Sequence, residues 1–385
     1  MDKRKPRRRW NGLKLCIWAV VIIALGPSLV NLPRVWVACK VWEKVPATAS
    51  TLDDEMMRTA IQKIPDYYRP ESKTYLTLPE WYIVYSTDEY AAFMQEHRSG
   101  EFPYFKAVGQ YWQSYVDVCH EIKGRYPFNS DSQFTLGFIG ISFTAENMLK
   151  GAYEGTLGRV TEWISSDTLT EEEIYAAQVA KDYGEFLHMT PWYFFPFKET
   201  LQGLWSETSL WGPDPLRKWE RKLALTIEYG GKVLYSGFTN FGAKATYGGS
   251  DVEKIYAVST GITDDMLSAD LEIIEQADDL QLIRITRFEY FSDTVPGLTE
   301  QDVQFIEIAG NDEMLFTLLG SQDADYNFEH GTTLFDLPIL TQPSTSSGQA
   351  GLTRVSIKVR VADIGLFLQE LQGRDDVKFE HMYDY

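Results

Sequence analysis

The chain has 385 residues, 44% apolar and 14% aromatic, enough for two or three packed domains. Its charge is divided: residues 1–14 hold seven Lys or Arg and one Asp, a net +6, whereas the remainder holds 29 basic and 54 acidic residues, a net −25. That acidity argues against nucleic acid as a partner, since phosphate binding needs a basic surface, and three cysteines are too few for a disulfide framework or a close-spaced zinc site.

Behind the basic stretch KRKPRRR, residues 15–32 carry no charged side chain, near the minimum length that crosses a hydrocarbon core. The flanking positive charges orient such a helix with residues 1–14 as a cytoplasmic tail and the bulk of the chain outside. The rival is a cleaved signal peptide, with a lipobox-like Trp36-Val-Ala-Cys39 or a cleavage-like Ala47-Thr-Ala49. Trp36 fits a lipobox poorly and Ala49 lies far downstream, so an uncleaved transmembrane anchor is expected. One bridge, Cys39 to Cys119, is open to the chain, but the expectation leaves these thiols free, with Cys119 buried and inert.

Residues 33–100 read as a membrane-proximal helical segment. Ser50 or Thr51 can cap a short helix opening on Asp53, Asp54 and Glu55. Pro79 and Glu80 suit a helix start, leaving Trp81, Tyr82 and Tyr85 to enter the core. Ser86-Thr-Asp-Glu89 reads as a capping box for a helix ending near His97.

Four amphipathic patterns predict a bundle-like helical domain over 101–250. The first, 103–123, aligns Tyr104, Val108, Tyr111, Tyr115, Cys119 and Ile122. The second, 133–153, aligns Phe134, Phe138, Ile141, Ala145, Met148 and Ala152. Its uncharged part, 132–145, is short for a second span and reads as a buried core helix. The third runs from the capping box Thr170–Glu173 to His188, and the fourth from Asp214-Pro215 to about 236.

Over 251–385 the period changes. Strands are expected at 282–288, 303–309, 314–319, 354–361 and 377–383, with helices at about 290–301 and 363–372. Arg354–Val361 alternates polar and apolar as a half-buried strand does, and Gly310-Asn-Asp312 suits a tight hairpin. The order suggests a ferredoxin-like α/β plait with an extra strand and a flexible insert at 341–352, and no internal repeat stands out. The fold class is therefore α+β.

Several residues carry candidate chemistry. Glu185-x-x-His188 and Asp117-x-x-His120 have the spacing of carboxylate-bridged metal ligands, which makes a divalent metal the one cofactor to weigh. Each helical residue turns about 100°, and that rotation places Glu185 nearly opposite its apolar stripe, His188 about 130° from the stripe's centre, and Asp117 and His120 away from theirs, so ordinary wet faces and, for His188, the negative end of its helix explain them better. Asp323, Asp325 and Asn327 copy the opening of a calcium loop, but Phe328 stands where the turn needs glycine, leaving a solvated acidic loop. No cofactor is therefore expected. His381 reads as a core or half-buried histidine.

Arg217, Lys218, Arg221 and Lys222 form a basic face opposite Leu216, Leu223 and Ile227, shortly after the aromatic run Trp192, Tyr193, Phe194, Phe195 and Phe197. Such a face is ordinarily just solvated; next to aromatic rings it also suits lipid headgroups or an acidic envelope partner.

The wording of LTLPEWYIVYSTDEYAAF, TPWYFFPF and the terminal FEHMYDY resembles uncharacterised membrane-anchored proteins of bacterial genomes. The resemblance implies an envelope setting at the cytoplasmic (inner) membrane and no activity. The expected function is a non-catalytic binding or assembly module of the envelope. The alternatives are a metal-dependent enzyme of the helical domain and a small-ligand sensor using the plait.

Overall fold

A computed structural model describes residues 7–40, 52–65, 67–68, 74–247, 253–341 and 351–385. Helices come first: α1 (Arg7–Cys39), α2 (Glu55–Gln62), α3 (Thr77–Met94), α4 (Tyr104–Ile122), α5 (Ser130–Tyr153), α6 (Arg159–Trp163), α7 (Glu171–Leu187), α8 (Phe197–Glu207) and α9 (Pro215–Tyr247). The second half holds β1 (Lys254–Thr260), β2 (Leu271–Ala277), β3 (Leu280–Thr286), α10 (Glu289–Thr299), β4 (Gln304–Ile308), β5 (Glu313–Ser321), β6 (Gly331–Pro338), β7 (Leu352–Arg360), α11 (Ile364–Gln372) and β8 (Val377–Met382). Ala47–Ala49, Ser50, Thr51 and all but the ends of the 341–352 insert lie outside the described residues.

Within α1, Ile17–Cys39 is long and apolar enough to cross a membrane, with a mean hydropathy of 1.7. Its outer half is part of the fold. Ala24, Ser28, Val35, Ala38 and Cys39 form one buried stripe, seated against α4 and α5. Cys39 and Cys119 form a disulfide with their Cα atoms 4.5 Å apart, which corrects the expectation of free thiols. Arg34 bonds Gln113 one turn before that bridge, so α1 and α4 run side by side and bring the two sulfurs level. With its sulfur bonded to Cys119, Cys39 has no valence for a lipid, and the lipobox alternative falls.

Two helix expectations also change. Ser86–Glu89 does not start a helix but lies within α3, where Asp88 and Glu89 reach tertiary partners rather than capping. The fourth helix runs eleven residues beyond 236, to Tyr247. The capping box at Thr170 and Glu173 forms as expected, both hydrogen bonds present.

In place of a single plait, 253–385 forms two antiparallel four-stranded sheets, ordered β2-β3-β1-β4 and β6-β7-β5-β8. The two orders are one pattern used twice. β1-β2-β3-α10-β4 and β5-β6-β7-α11-β8 have the same connectivity, and the match extends to single residues. Ala257 pairs with Ile283 and Ile308, and Phe316 pairs with Ile357 and Met382. The central strands carry bulges at the equivalent steps Val258/Ser259 and Thr317/Leu318, and the edge strands at Ile273/Glu275 and Thr333/Phe335. Four irregularities matched in pairs mark an internal duplication. Asp302-Val-Gln-Phe305 and Asp376-Val-Lys-Phe379 are its trace in sequence, 74 positions apart (376 minus 302).

The halves interlock. α10 lies on β8, where Met382 N donates to Ser292 Oγ at 2.9 Å, and β4 lies against the turn at 361–363 that leads into α11. Gly310-Asn-Asp312 is consequently a passage from one sheet to the other, not a hairpin within one. Phe291 and Val295 of α10 share a core with Ile364 and Phe367 of α11. The outer sheet faces are covered by the helical half: α2 through Met57 and Ile61 over the first, α3 through Trp81 and Tyr85 over the second. β7 is therefore buried on both faces, not half-buried as its alternation suggested. Its Arg354 is held by Glu89 and Glu380 and lies 3.8 Å over the Tyr85 ring.

Candidate functional site

The basic cluster of α9 faces inward, reversing the expected orientation. Arg217, Lys218, Arg221 and Lys222 are all at least 96% buried. Their counter-charges come from the first turn of α7 and the π-turn after α5, where local geometry fixes them: the Thr170 cap aims Glu172 and Glu173 inward. Arg217 donates Nε and Nη2 to Glu173 (3.0 and 2.7 Å) and Nη1 to the Gly158 carbonyl (2.8 Å). Arg221 Nη1 donates to Glu154 at 2.7 Å. Lys218 Nζ meets Glu171 at 2.7 Å and Glu172 at 3.0 Å, and Lys222 Nζ bonds Thr208 and lies 3.3 Å from Glu172. The network continues along α9 to Lys150–Glu228 and Lys232–Glu146, each at 2.9 Å. A small cavity of about 20 Å³, bounded by Arg98, Lys150, Glu154, Glu173, Arg221 and Glu228, has room for one water. Buried charges survive only when paired, and every basic member of the network is.

With the charges inside, the apolar side of α9 points out. Leu216, Leu223 and Ile227 are 59%, 59% and 67% exposed, and Leu234 and Phe238 are 78% and 72% exposed. From 215 to 240, every exposed position on α9 is Pro, Leu, Trp, Ile, Gly or Phe. α5 is reversed in part, since its exposed face also carries Thr135 and Glu146. Phe134 and Phe138, expected in the core, are exposed, and the buried face is Leu136, Gly137, Gly140, Phe143 and Thr144. Gly140 has no room for a larger residue, because Tyr111 and Trp112 of α4 lie against its Cα.

The aromatic run divides. Phe195 and Phe197 are buried against Tyr183, Trp192 and Tyr193 are half-buried, and Phe194 is exposed. Trp192 packs on Tyr235 of α9 with ring centroids 4.8 Å apart, and Ser142 of α5 meets the Tyr235 hydroxyl at 2.8 Å. The turn, α5 and α9 therefore form one continuous surface.

The metal-spaced residues do not converge. Glu185 is an exposed partner of Lys181, His120 is exposed, and Asp117 accepts from Gln113 at 2.8 Å. Asp325 accepts from Asn327 in a local turn, with Asp323 exposed nearby. Among the described residues no three His, Cys, Asp or Glu side chains gather as a metal would need.

His188 has a role that spacing alone did not reveal. Its Nε2 meets Asp88 of α3 at 2.7 Å and its Nδ1 meets Glu289 of α10 at 2.5 Å, so one ring joins both halves of the molecule. These two carboxylates raise its pKa to about 10. Its ring lies edge-on to Trp81 at 6.0 Å, and His381 stacks on that same indole at 3.6 Å. Burial and the His188 charge hold His381 neutral. The sequence carried one usable signal, three acids at 171–173 facing two basic pairs at 217–218 and 221–222; nothing in it marked Asp88 or Glu289.

Comparison of the chain with protein families, curated proteins and solved structures gives no match.

Proposed function

We propose that the protein is a single-pass, extracytoplasmic binding or assembly module of the cell envelope, held at the cytoplasmic membrane by α1 with its N-terminus in the cytoplasm. The observation that carries this reading is the union of anchor and fold. α1 is apolar enough to span, its last four turns are packed into the domain, and the Cys39–Cys119 bond locks its outer end to α4. A disulfide persists in an oxidising compartment, which fits the orientation given by the basic tail. An anchor welded to its domain suits a protein that holds a partner at a fixed height above the bilayer, and a free tether would not. The candidate chemical groups support a non-catalytic role, since Arg217, Arg221, Arg354 and His188 are engaged in pairs that hold helices and sheets together.

Protease protection in spheroplasts tests the arrangement. With tags at both ends, external protease should remove the C-terminal tag and leave the N-terminal one, and the protein should resist carbonate extraction. Loss of the N-terminal tag, or carbonate release of the protein, overturns it.

A further inference from the structure

We infer that α1 is not alone in the membrane: α5 and α9 lie beside it in the hydrocarbon layer, their outward stripes facing acyl chains. The inference rests on α1 being an anchor and extends that reading to a lipid-embedded surface.

The first argument is polarity. A water-facing helix turns charges outward and apolar residues in. α9 does the opposite along its length, and ionisable side chains within membrane helices face the bundle interior and pair there. Among the described residues, nineteen large apolar side chains are exposed between 130 and 240, against four between 253 and 385, so the reversal belongs to the helical half and not to the molecule at large. Exposed apolar area on that scale marks an interface.

The second argument is position. α5 touches α1 at Gly137, which lies under Leu32, and touches α9 at Ser142, which meets Tyr235. The two contacts are five residues apart, about 7.5 Å along the helix. The outward stripe around Leu234 and Phe238 thus sits within about two turns of the anchor's own span. The uncharged stretch 132–145, too short to cross alone, lines that same depth.

The third argument is the boundary. α7 presents Gln178, Lys181, Asp182 and Glu185 outward, so water lies on that side and lipid is confined to the side of α1, α5 and α9. The stripe from Leu216 to Phe238 is about 33 Å long, comparable with the hydrocarbon thickness of about 30 Å. Acyl chains fit a surface with no outward polar group on α9 between 215 and 240; a soluble partner would leave the anchor-facing part of the same stripe to lipid in any case.

Site-directed spin labelling of the full chain in phosphatidylcholine nanodiscs tests this, with Cys16→Ser and the native disulfide kept. Labels replace Ile227, Leu234 and Phe138, with Ile22 on α1 as the lipid reference and Lys181 on α7 as the water reference. The expected result is collision with oxygen but not with a nickel chelate at Ile227, Leu234 and Phe138, matching Ile22. Nickel access matching Lys181 overturns the inference and leaves the anchor standing. Labels shielded from both reagents and broadened by a second label overturn it in favour of a second copy. Nickel access at Ile22 itself refutes the anchor.

Discussion

His188 and His381 both contact Trp81, the first edge-on and the second stacked, and they respond to pH with opposite signs. The folded pKa of His188, about 10, lies above its unfolded value, so its pairs with Asp88 and Glu289 contribute fully below about pH 6.5. That contribution is lost as pH rises toward 10. His381 is held below its unfolded value, so its contribution is present above that value and fades on acidification. The alkaline arm is the cleaner to isolate. Thermal unfolding of the His188→Gln variant should show a smaller fall in Tm between pH 6.5 and 10 than the parent chain does. Parallel curves would mean the bridge between α3 and α10 contributes nothing. At this scale the sequence was legible where a residue acts locally, as with the Thr170 cap, and opaque where it acts across a hundred positions, as His188 does with Asp88 and Glu289.

For the helices, periodicity separates two faces but does not say which one is inside. The stripes of α5 and α9 were visible in sequence, yet the usual rule that apolar faces enter the core assigned α9 the wrong way round and misplaced Phe134 and Phe138 of α5, while Met148 packs inward as expected. In lipid that rule loses its basis, because acyl chains solvate leucine as well as a core does. The countercharges Glu154, Glu172 and Glu173 decide the matter here, and only the fold brings them to Arg221, Lys218 and Arg217 respectively. The reversal predicts an inverted mutational ledger in detergent. Arg217→Met removes the two short bonds to Glu173, leaving it only Arg98 at 3.7 Å and the Thr170 N–H, and should cost about 3 kcal/mol. Ile227→Ala should cost no more than about 0.5 kcal/mol, as for an exposed site, where a buried isoleucine would cost about 2–5 kcal/mol. Denaturant titration of the two variants distinguishes the arrangements.

For the whole molecule, the α+β division and the single apolar N-terminal helix were legible, and the internal duplication was not. Its two copies keep little beyond Asp-Val-x-Phe and the isoleucine shared by Ile283 and Ile357, and the second has a much longer β6–β7 connection than the two residues joining β2 to β3, which throws the copies out of a constant period. Backbone pairing and bulges preserve what side chains have lost. Charge is distributed in keeping with the membrane arrangement: residues 251–385 hold eight basic and 26 acidic residues, a net −18, and so account for nearly all of the chain's −19. A surface that acidic is repelled by anionic lipid, which favours holding the duplicated sheets off the bilayer while the helical half enters it.

Tryptophan quenching tests that claim most directly. Trp205, Trp211 and Trp219 are exposed at the start of the reversed surface, and Trp10, Trp18 and Trp36 lie on α1. With Trp10→Phe, Trp18→Phe, Trp36→Phe and Trp42→Phe in the full chain, emission should still fall when the nanodisc lipid is replaced by phosphatidylcholine brominated along its acyl chains. Equal emission in brominated and ordinary lipid would contradict a helical half embedded beside its anchor.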